Sequence, residues 1–146
     1  MNFFLRNFVI SNRFLHKNIP KNNYFLKYPF STKLNQNQYV NEIQIALEHI
    51  YDCLDDMDLE IIESNYDSSG VLNFQITDRK KFVLNIQRPN QQLWLSSPIS
   101  GPFRFEFDLE KNKWFDIKNN NELYELLKSD IDKILKENNI NTLINF

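Results

Sequence analysis

The chain has only two glycines, Gly70 and Gly101, and a single cysteine, Cys53. So little glycine leaves no phosphate-cradling loop and no dinucleotide fingerprint, each of which needs several glycines close together. One cysteine excludes an internal disulfide framework and fits a reducing compartment. Histidine is nearly missing as well: His16 and His49 are the full set, which argues against a tight, His-rich metal centre. No Asp-x-Asp-x-Asp-Gly calcium loop occurs. No apolar run approaches the roughly 18–20 residues that cross a bilayer, so a soluble protein with no membrane partner is expected.

Aromatic residues are plentiful instead. The 146 residues include 13 Phe, 6 Tyr and 2 Trp, and the 42% hydrophobic content suffices for one modest domain. The net charge of −2 hides a strong asymmetry. Residues 1–41 carry Arg6, Arg13, Lys17, Lys21, Lys27 and Lys33 with no Asp or Glu, whereas residues 42–78 carry ten acids and no Lys or Arg.

The first stretch reads as an address. Phe3, Phe4, Leu5, Phe8, Val9 and Ile10 mix with Arg6, Asn7, Asn12 and Arg13, the acid-free amphipathic character of a mitochondrial transit peptide. Arg6 and Asn7 break the apolar stretch that a secretory signal needs. A disordered basic tail is the alternative reading. The sequence divides into a transit peptide over residues 1–34 and one domain over residues 35–146, with cleavage expected near Phe30-Ser31-Thr32. Removing the leader leaves an acidic protein, which argues against nucleic acid as a partner.

Within the domain, Tyr39, Ile43, Ala46, Leu47, Ile50, Leu54 and Met57 recur at spacings of three and four, one face of a helix about five turns long. Asn119-Asn120-Asn121-Glu122 supplies a cap for a second helix with a stripe of Leu123, Leu126, Leu127, Ile131, Ile134 and Leu135. Between them the period changes to two, predicting strands over 59–64, 71–77, 81–87, 91–97, 102–108 and 113–117, with turns at Asp67-Ser68-Ser69-Gly70 and Lys111-Asn112. Short links favour antiparallel pairing. The predicted fold is α+β: a two-layer sandwich with two terminal helices on one face of a five- to six-stranded antiparallel sheet.

Two surfaces exceed what folding requires. Glu48, Asp52, Asp55 and Asp56 fall opposite the apolar face of the first helix, and Asp58, Glu60 and Glu63 prolong the row. Like charges four apart destabilise a helix by roughly 0.2–0.5 kcal/mol per pair, and acids at a helix C-terminus oppose the macrodipole. Two readings stay open: a solvated face that favours solubility, or a row of carboxylate oxygens that holds a hard cation loosely. The second surface is the open sheet face. If Phe82, Leu84, Ile86, Leu93, Leu95, Phe103, Phe105 and Phe107 point to the core, then Asn85, Gln87, Gln92, Trp94 and Arg104 gather outside. Trp and Arg among amides are what a binding hot spot contains; in the opposite register Trp94 would be buried. No nucleophile–base pair emerges. Cys53 lies beside acids that raise its pKa, and Ser96 and Ser97 are better placed to shape the turn before Pro98.

The segment Asn85-Ile86-Gln87-Arg88-Pro89-Asn90-Gln91-Gln92-Leu93-Trp94-Leu95-Ser96-Ser97-Pro98-Ile99-Ser100-Gly101-Pro102-Phe103-Arg104-Phe105 closely resembles the signature of the frataxin family. Asp67-Ser68-Ser69-Gly70-Val71-Leu72, Lys113-Trp114 and Glu122-Leu123-Tyr124-Glu125-Leu126-Leu127 extend the likeness to about residues 38–140. Ile99, Phe105 and Glu106 are mild departures. The resemblance implies a regulator of iron–sulfur cluster assembly in the mitochondrial matrix. Such a protein docks on the complex of cysteine desulfurase and cluster scaffold, accelerates sulfur transfer and delivers Fe(II). It also implies that Glu48, Asp52, Asp55, Asp56, Asp58, Glu60 and Glu63 bind iron (Fe2+/Fe3+) weakly, and that Asn85, Gln87, Gln92, Trp94 and Arg104 contact the partner. A monomer is expected, with iron-dependent oligomers. The alternative from another class is a ferroxidase or iron store working on the same carboxylates, although Glu-x-x-His pairs of the di-iron type are missing. Because the chain stops soon after the second helix, less cover over the groove between the helices is expected, and with it modest thermal stability, within the mesophile range of roughly 45–65 °C.

Overall fold

The computed structural model describes residues 33–57, 59 and 63–146. Residues 1–32 of the predicted transit peptide, and Asp58 and Glu60 of the acidic row, lie outside the described residues.

Helix α1, Gln36–Asp55, starts three residues before its first apolar stripe residue, because Asn35 and Gln38 form a reciprocal capping box. The Asn35 side chain accepts from the Gln38 N–H at 2.9 Å, and the Gln38 side chain accepts from the Asn35 N–H at 3.0 Å. Tyr39, Ile43, Ala46, Leu47, Ile50 and Leu54 are buried, as their spacing predicts. Six strands follow in an antiparallel meander: β1 Glu63–Tyr66, β2 Val71–Gln75, β3 Lys81–Gln87, β4 Gln92–Ser97, β5 Gly101–Asp108 and β6 Lys113–Asp116, with spatial order the same as chain order. Helix α2, Leu123–Glu137, closes the chain behind Glu122, whose carboxylate accepts from the Glu125 N–H.

The first strand differs from the expectation of 59–64. Asp67 sits at the head of the turn and accepts from the Ser69 and Val71 amides and the Ser69 hydroxyl. The Ser69 hydroxyl and these amides hold its carboxyl below the usual range. That tight turn pairs Tyr66 with Leu72, so the strand must run right up to it.

The two helices and the inner sheet face share one core. Leu72, Phe74, Phe82, Leu84, Leu93, Leu95, Phe105 and Trp114 point inward against the helix stripes. Among the described residues, no helix lies on the other face.

Residues 140–146 correct the expectation about the groove. Ile144 is 1% exposed and belongs to the core, and the Lys128 ammonium donates to its carbonyl. Phe146 stacks on Tyr124 of α2 at 5.6 Å and approaches His49 of α1 edge-on at 6.4 Å. The tail therefore covers the groove, because Phe146 reaches both helices and Ile144 joins the core. Ile144→Ala is expected to lower stability by about 2 kcal/mol, the low end for a core truncation because a chain end collapses into the space. A urea midpoint shift checks it.

One buried and one half-buried phenol set the alkaline limit. Tyr39 is fully buried and donates to the Gln92 carbonyl at 2.9 Å, and Tyr124 lies under the tail. Burial pushes both up to about 12. Below their ordinary value of about 10 the stabilisation is fully present. From there toward 12 the unfolded chain ionises first, so stability falls as pH rises through that window. Urea midpoints from pH 8 to 11.5 are expected to stay level and then fall, and Tyr39→Phe should flatten the fall.

Candidate docking face and acidic ridge

The register places the outward residues of the sheet in rows. Asn85 of β3 pairs with Trp94 of β4, and Trp94 pairs with Arg104 of β5. The Arg104 guanidinium carbon stands 4.6 Å from the centroid of the Trp94 ring, a cation–π stack on the face without helices. The Trp94 Nε1–H donates to Gln92 Oε1 at 3.0 Å, and Gln92 Nε2 donates to Glu106 Oε1 at 2.9 Å. Trp94 is thus half-buried and outward, and the alternative register is excluded.

Gln92 requires a correction. It faces outward as predicted, yet only 8% of it is exposed, because Trp94 and Glu106 engage both ends of its amide. It orients the indole instead of offering its own donors. Gln87, its neighbour in register, and Asn85 are half-buried, and Arg104 is exposed. Around Trp94 and Arg104 opens a cleft of about 390 Å³ that also takes in Val83, Pro102, Ile117 and Lys118. Ile117 and Lys118 were not singled out from sequence. The available signal was parity: with Trp114 inward, Ile117 falls on the outward side, where an apolar residue has no folding reason to be.

The turn that follows β4 is tied down from the helix layer. Asp130 of α2, 3% exposed, accepts from Ser97 Oγ at 2.5 Å and Ser100 Oγ at 2.6 Å. Ser97 Oγ in turn accepts from the amides of Ile99 and Ser100 at 3.1 and 3.2 Å. Ser97 shapes the turn, as expected, and the turn fixes the start of β5. Asp130→Ala leaves the buried Ser97 hydroxyl and the Ser100 hydroxyl without their acceptor and is expected to cost about 2 kcal/mol, measured as a loss in urea midpoint.

On α1, Glu48, Asp52, Asp55 and Asp56 are all exposed, and so is Glu63 on β1. None of them belongs to the ion pairs among the described residues. Glu48 accepts from Gln44 Nε2 at 2.8 Å. Asp56 caps the helix, and no basic residue occupies the last turn, so the unfavourable dipole contact stands. Among the described residues, no three His, Cys, Asp or Glu side chains converge as a group that could hold a metal ion. The donor set is hard oxygen facing water, which suits a loosely held hard cation and not a closed site. Cys53 is half-buried, with Sγ 3.7 Å from His49 Nδ1. Burial first, then Asp56 and Asp52, push its thiol up, so it is a poor nucleophile.

Two helices on one face of a six-stranded antiparallel meander, with an open polar–aromatic face, define a two-layer α+β sandwich built to present a sheet. The family model of the frataxin-like domain matches residues 32–137. The mitochondrial frataxin of Caenorhabditis elegans is 34% identical over 124 residues, covering 81% of this chain and 90% of that one. The mitochondrial frataxin of Arabidopsis thaliana is 27% identical over 111 residues, 74% of this chain, and the match spans only 59% of the plant protein. A Pseudomonas fluorescens protein described as iron-sulfur cluster assembly protein CyaY is 37% identical over 89 residues, 61% of this chain and 76% of that one. The solved structure of yeast frataxin superposes with a TM-score of 0.57 at 26% identity, covering 88% of this chain and 98% of that one. The chain belongs to the frataxin-like family.

Proposed function

We propose that this protein regulates iron–sulfur cluster assembly in the mitochondrial matrix by docking its open sheet face on the complex of cysteine desulfurase and scaffold, where it accelerates sulfur transfer. The observation that carries the reading is the Trp94–Arg104 stack, braced by Gln92 and Glu106 on the face that no helix among the described residues covers. A rigid aromatic–guanidinium pair held in place before binding loses little side-chain entropy on docking. The naming of the Pseudomonas relative as a cluster assembly protein, and of the nematode and plant relatives as mitochondrial, supports the setting.

Iron enters as cargo. Glu48, Asp52, Asp55, Asp56 and Glu63 would hold Fe(II) through exposed carboxylates, with Asp58 and Glu60 continuing the row in sequence. Exposure, and the lack of a converging ligand set among the described residues, favour weak, exchangeable binding over storage. The triple variant Glu48→Ala/Asp52→Ala/Asp55→Ala is expected to lose Fe(II) binding by calorimetric titration while its stability stays level or rises by about 0.5 kcal/mol, since like charges four apart are relieved. Equal Fe(II) affinity in both proteins would remove the ridge from the reading.

The deciding experiment is a desulfurase–scaffold activity assay with the protein titrated in, with and without Fe(II). Saturable stimulation supports the regulator, and its iron dependence ranks delivery against activation. No stimulation by well-folded protein favours the ferroxidase alternative, which oxygen consumption with Fe(II) then tests against the same triple variant.

A further inference from the structure

The cleft beside the Trp94–Arg104 stack has a charge that the ridge does not share. Its two exposed basic side chains, Arg104 and Lys118, come from different elements, β5 and the segment after β6. Neither belongs to an ion pair among the described residues. Arg104 spends one face of its guanidinium on the Trp94 ring, which leaves the in-plane N–H groups for a planar acceptor. The acids nearby are less exposed than the pair. Asp116 lines the cleft but is 4% exposed, and its carboxylate accepts from the Asn119 amide at 2.7 Å. Glu106, one outward position along from Arg104, accepts from Gln92. The remaining wall sets the polar Asn85 and Ser96 beside apolar Val83, Pro102 and Ile117, the last 49% exposed.

We propose that this cleft takes an acidic segment of a protein partner that also carries an apolar side chain, and that Lys118 is its second cationic determinant. The proposal rests on the docking reading above and specifies its chemistry. A carboxylate of the segment meets the Arg104 fork bidentately, and a neighbouring acid reaches Lys118. An apolar side chain covers Ile117 and Pro102. Charge complementarity of this kind sets partner choice and association rate more than total affinity, so the effect is salt-dependent. It also lets an acidic protein meet an acidic sequence: the α1 ridge belongs to the helix layer, whereas the cleft exposes Arg104 and Lys118.

The test has two arms, both with the whole chain. In the first, the amide spectrum and the Trp94 indole signal are followed by NMR. The probe is the peptide acetyl-Leu-Asp-Glu-Leu-Asp-amide, compared with acetyl-Leu-Asn-Gln-Leu-Asn-amide and with inorganic phosphate. The acidic peptide is expected to shift Trp94, Arg104, Ile117 and Lys118, to bind about tenfold more tightly than the amide peptide, and to weaken as salt rises. Lys118→Glu is expected to lower its affinity at least tenfold. Equal binding of the two peptides, equal binding of phosphate, or indifference to Lys118→Glu overturns the proposal.

In the second arm, stimulation of the desulfurase–scaffold complex is measured for Lys118→Gln and Lys118→Glu. The half-saturating concentration is expected to rise in that order, with the larger change at low salt. If Trp94→Ala weakens stimulation and Lys118→Glu does not, the acidic occupant is wrong and the docking reading stands. If the parent protein does not stimulate at all, the docking reading fails and the peptide arm alone decides what the cleft binds.

Discussion

Gly70→Val is expected to destabilise the domain by about 3–5 kcal/mol, combining left-handed strain with overpacking. Gly70 closes the β1–β2 turn with φ at +87°, a region that a β-branched side chain avoids. A Cβ there would stand 2.1 Å from Ile86 Cδ1 and 2.7 Å from Ile86 Cγ1. Ile86 cannot simply swing aside, because its own amide donates to the Gly70 carbonyl at 3.3 Å and its side chain packs against the core. For a domain of this size, about 1 kcal/mol moves the melting midpoint by roughly 4–8 °C, so a drop of more than about 12 °C should be seen by calorimetry. Gly101→Ala provides the contrast. It shares a positive φ of +93° but has no atom within 4 Å of the added Cβ, so only the backbone term applies. If the two variants melt together, contact with Ile86 is not what reserves Gly70.

That pair also shows which features could be read in advance. Alternation of Phe82, Leu84, Leu93 and Leu95, and helical spacing of Tyr39 to Leu54 and Leu123 to Leu135, were enough for the two-layer sandwich, since apolar periodicity reports which face is buried. The misses occur where periodicity has nothing to report. β1 is Glu-Ser-Asn-Tyr, with one aromatic side chain, and its limits come from the Asp67 turn and not from its own pattern. The start of α1 was encoded in Asn35 and Gln38 as a capping box, a hydrogen-bond signal ahead of the first apolar residue. Ile144 belongs to no periodic stripe and finds its place only once the core exists.

On the open sheet face, strand parity placed Asn85, Trp94 and Arg104 outward, as the register has them. It could not show that Gln92 is consumed by Trp94 and Glu106, because that depends on side chains from strands brought together by the register. Lys118 was missed because it follows the last strand, and only the folded sheet sets it beside Arg104.

Trp94→Ala is expected to raise the half-saturating concentration for desulfurase stimulation at least about 30-fold, the equivalent of a 2 kcal/mol hot spot. The ring is the surface against which Arg104 lies, so its removal also releases the guanidinium into many rotamers and leaves Gln92 Oε1 without its indole donor. The core should be little disturbed: Trp94 points away from Leu93 and Leu95, which do the packing, and the melting midpoint should fall by only a few degrees. Two further variants separate the contributions. Trp94→Phe keeps an aromatic face for Arg104 but loses the Nε1–H bond to Gln92, so it should fall between the parent and the alanine variant. Arg104→Lys keeps the charge but loses the planar stack and the bidentate fork, so it should resemble alanine more than the parent. Stimulation unchanged in Trp94→Ala, with the fold confirmed by its melting curve, would show that the open sheet face is not where the partner docks. Loss in Trp94→Ala with full activity in Arg104→Lys would instead assign the binding energy to the indole alone, with the guanidinium contributing only its charge.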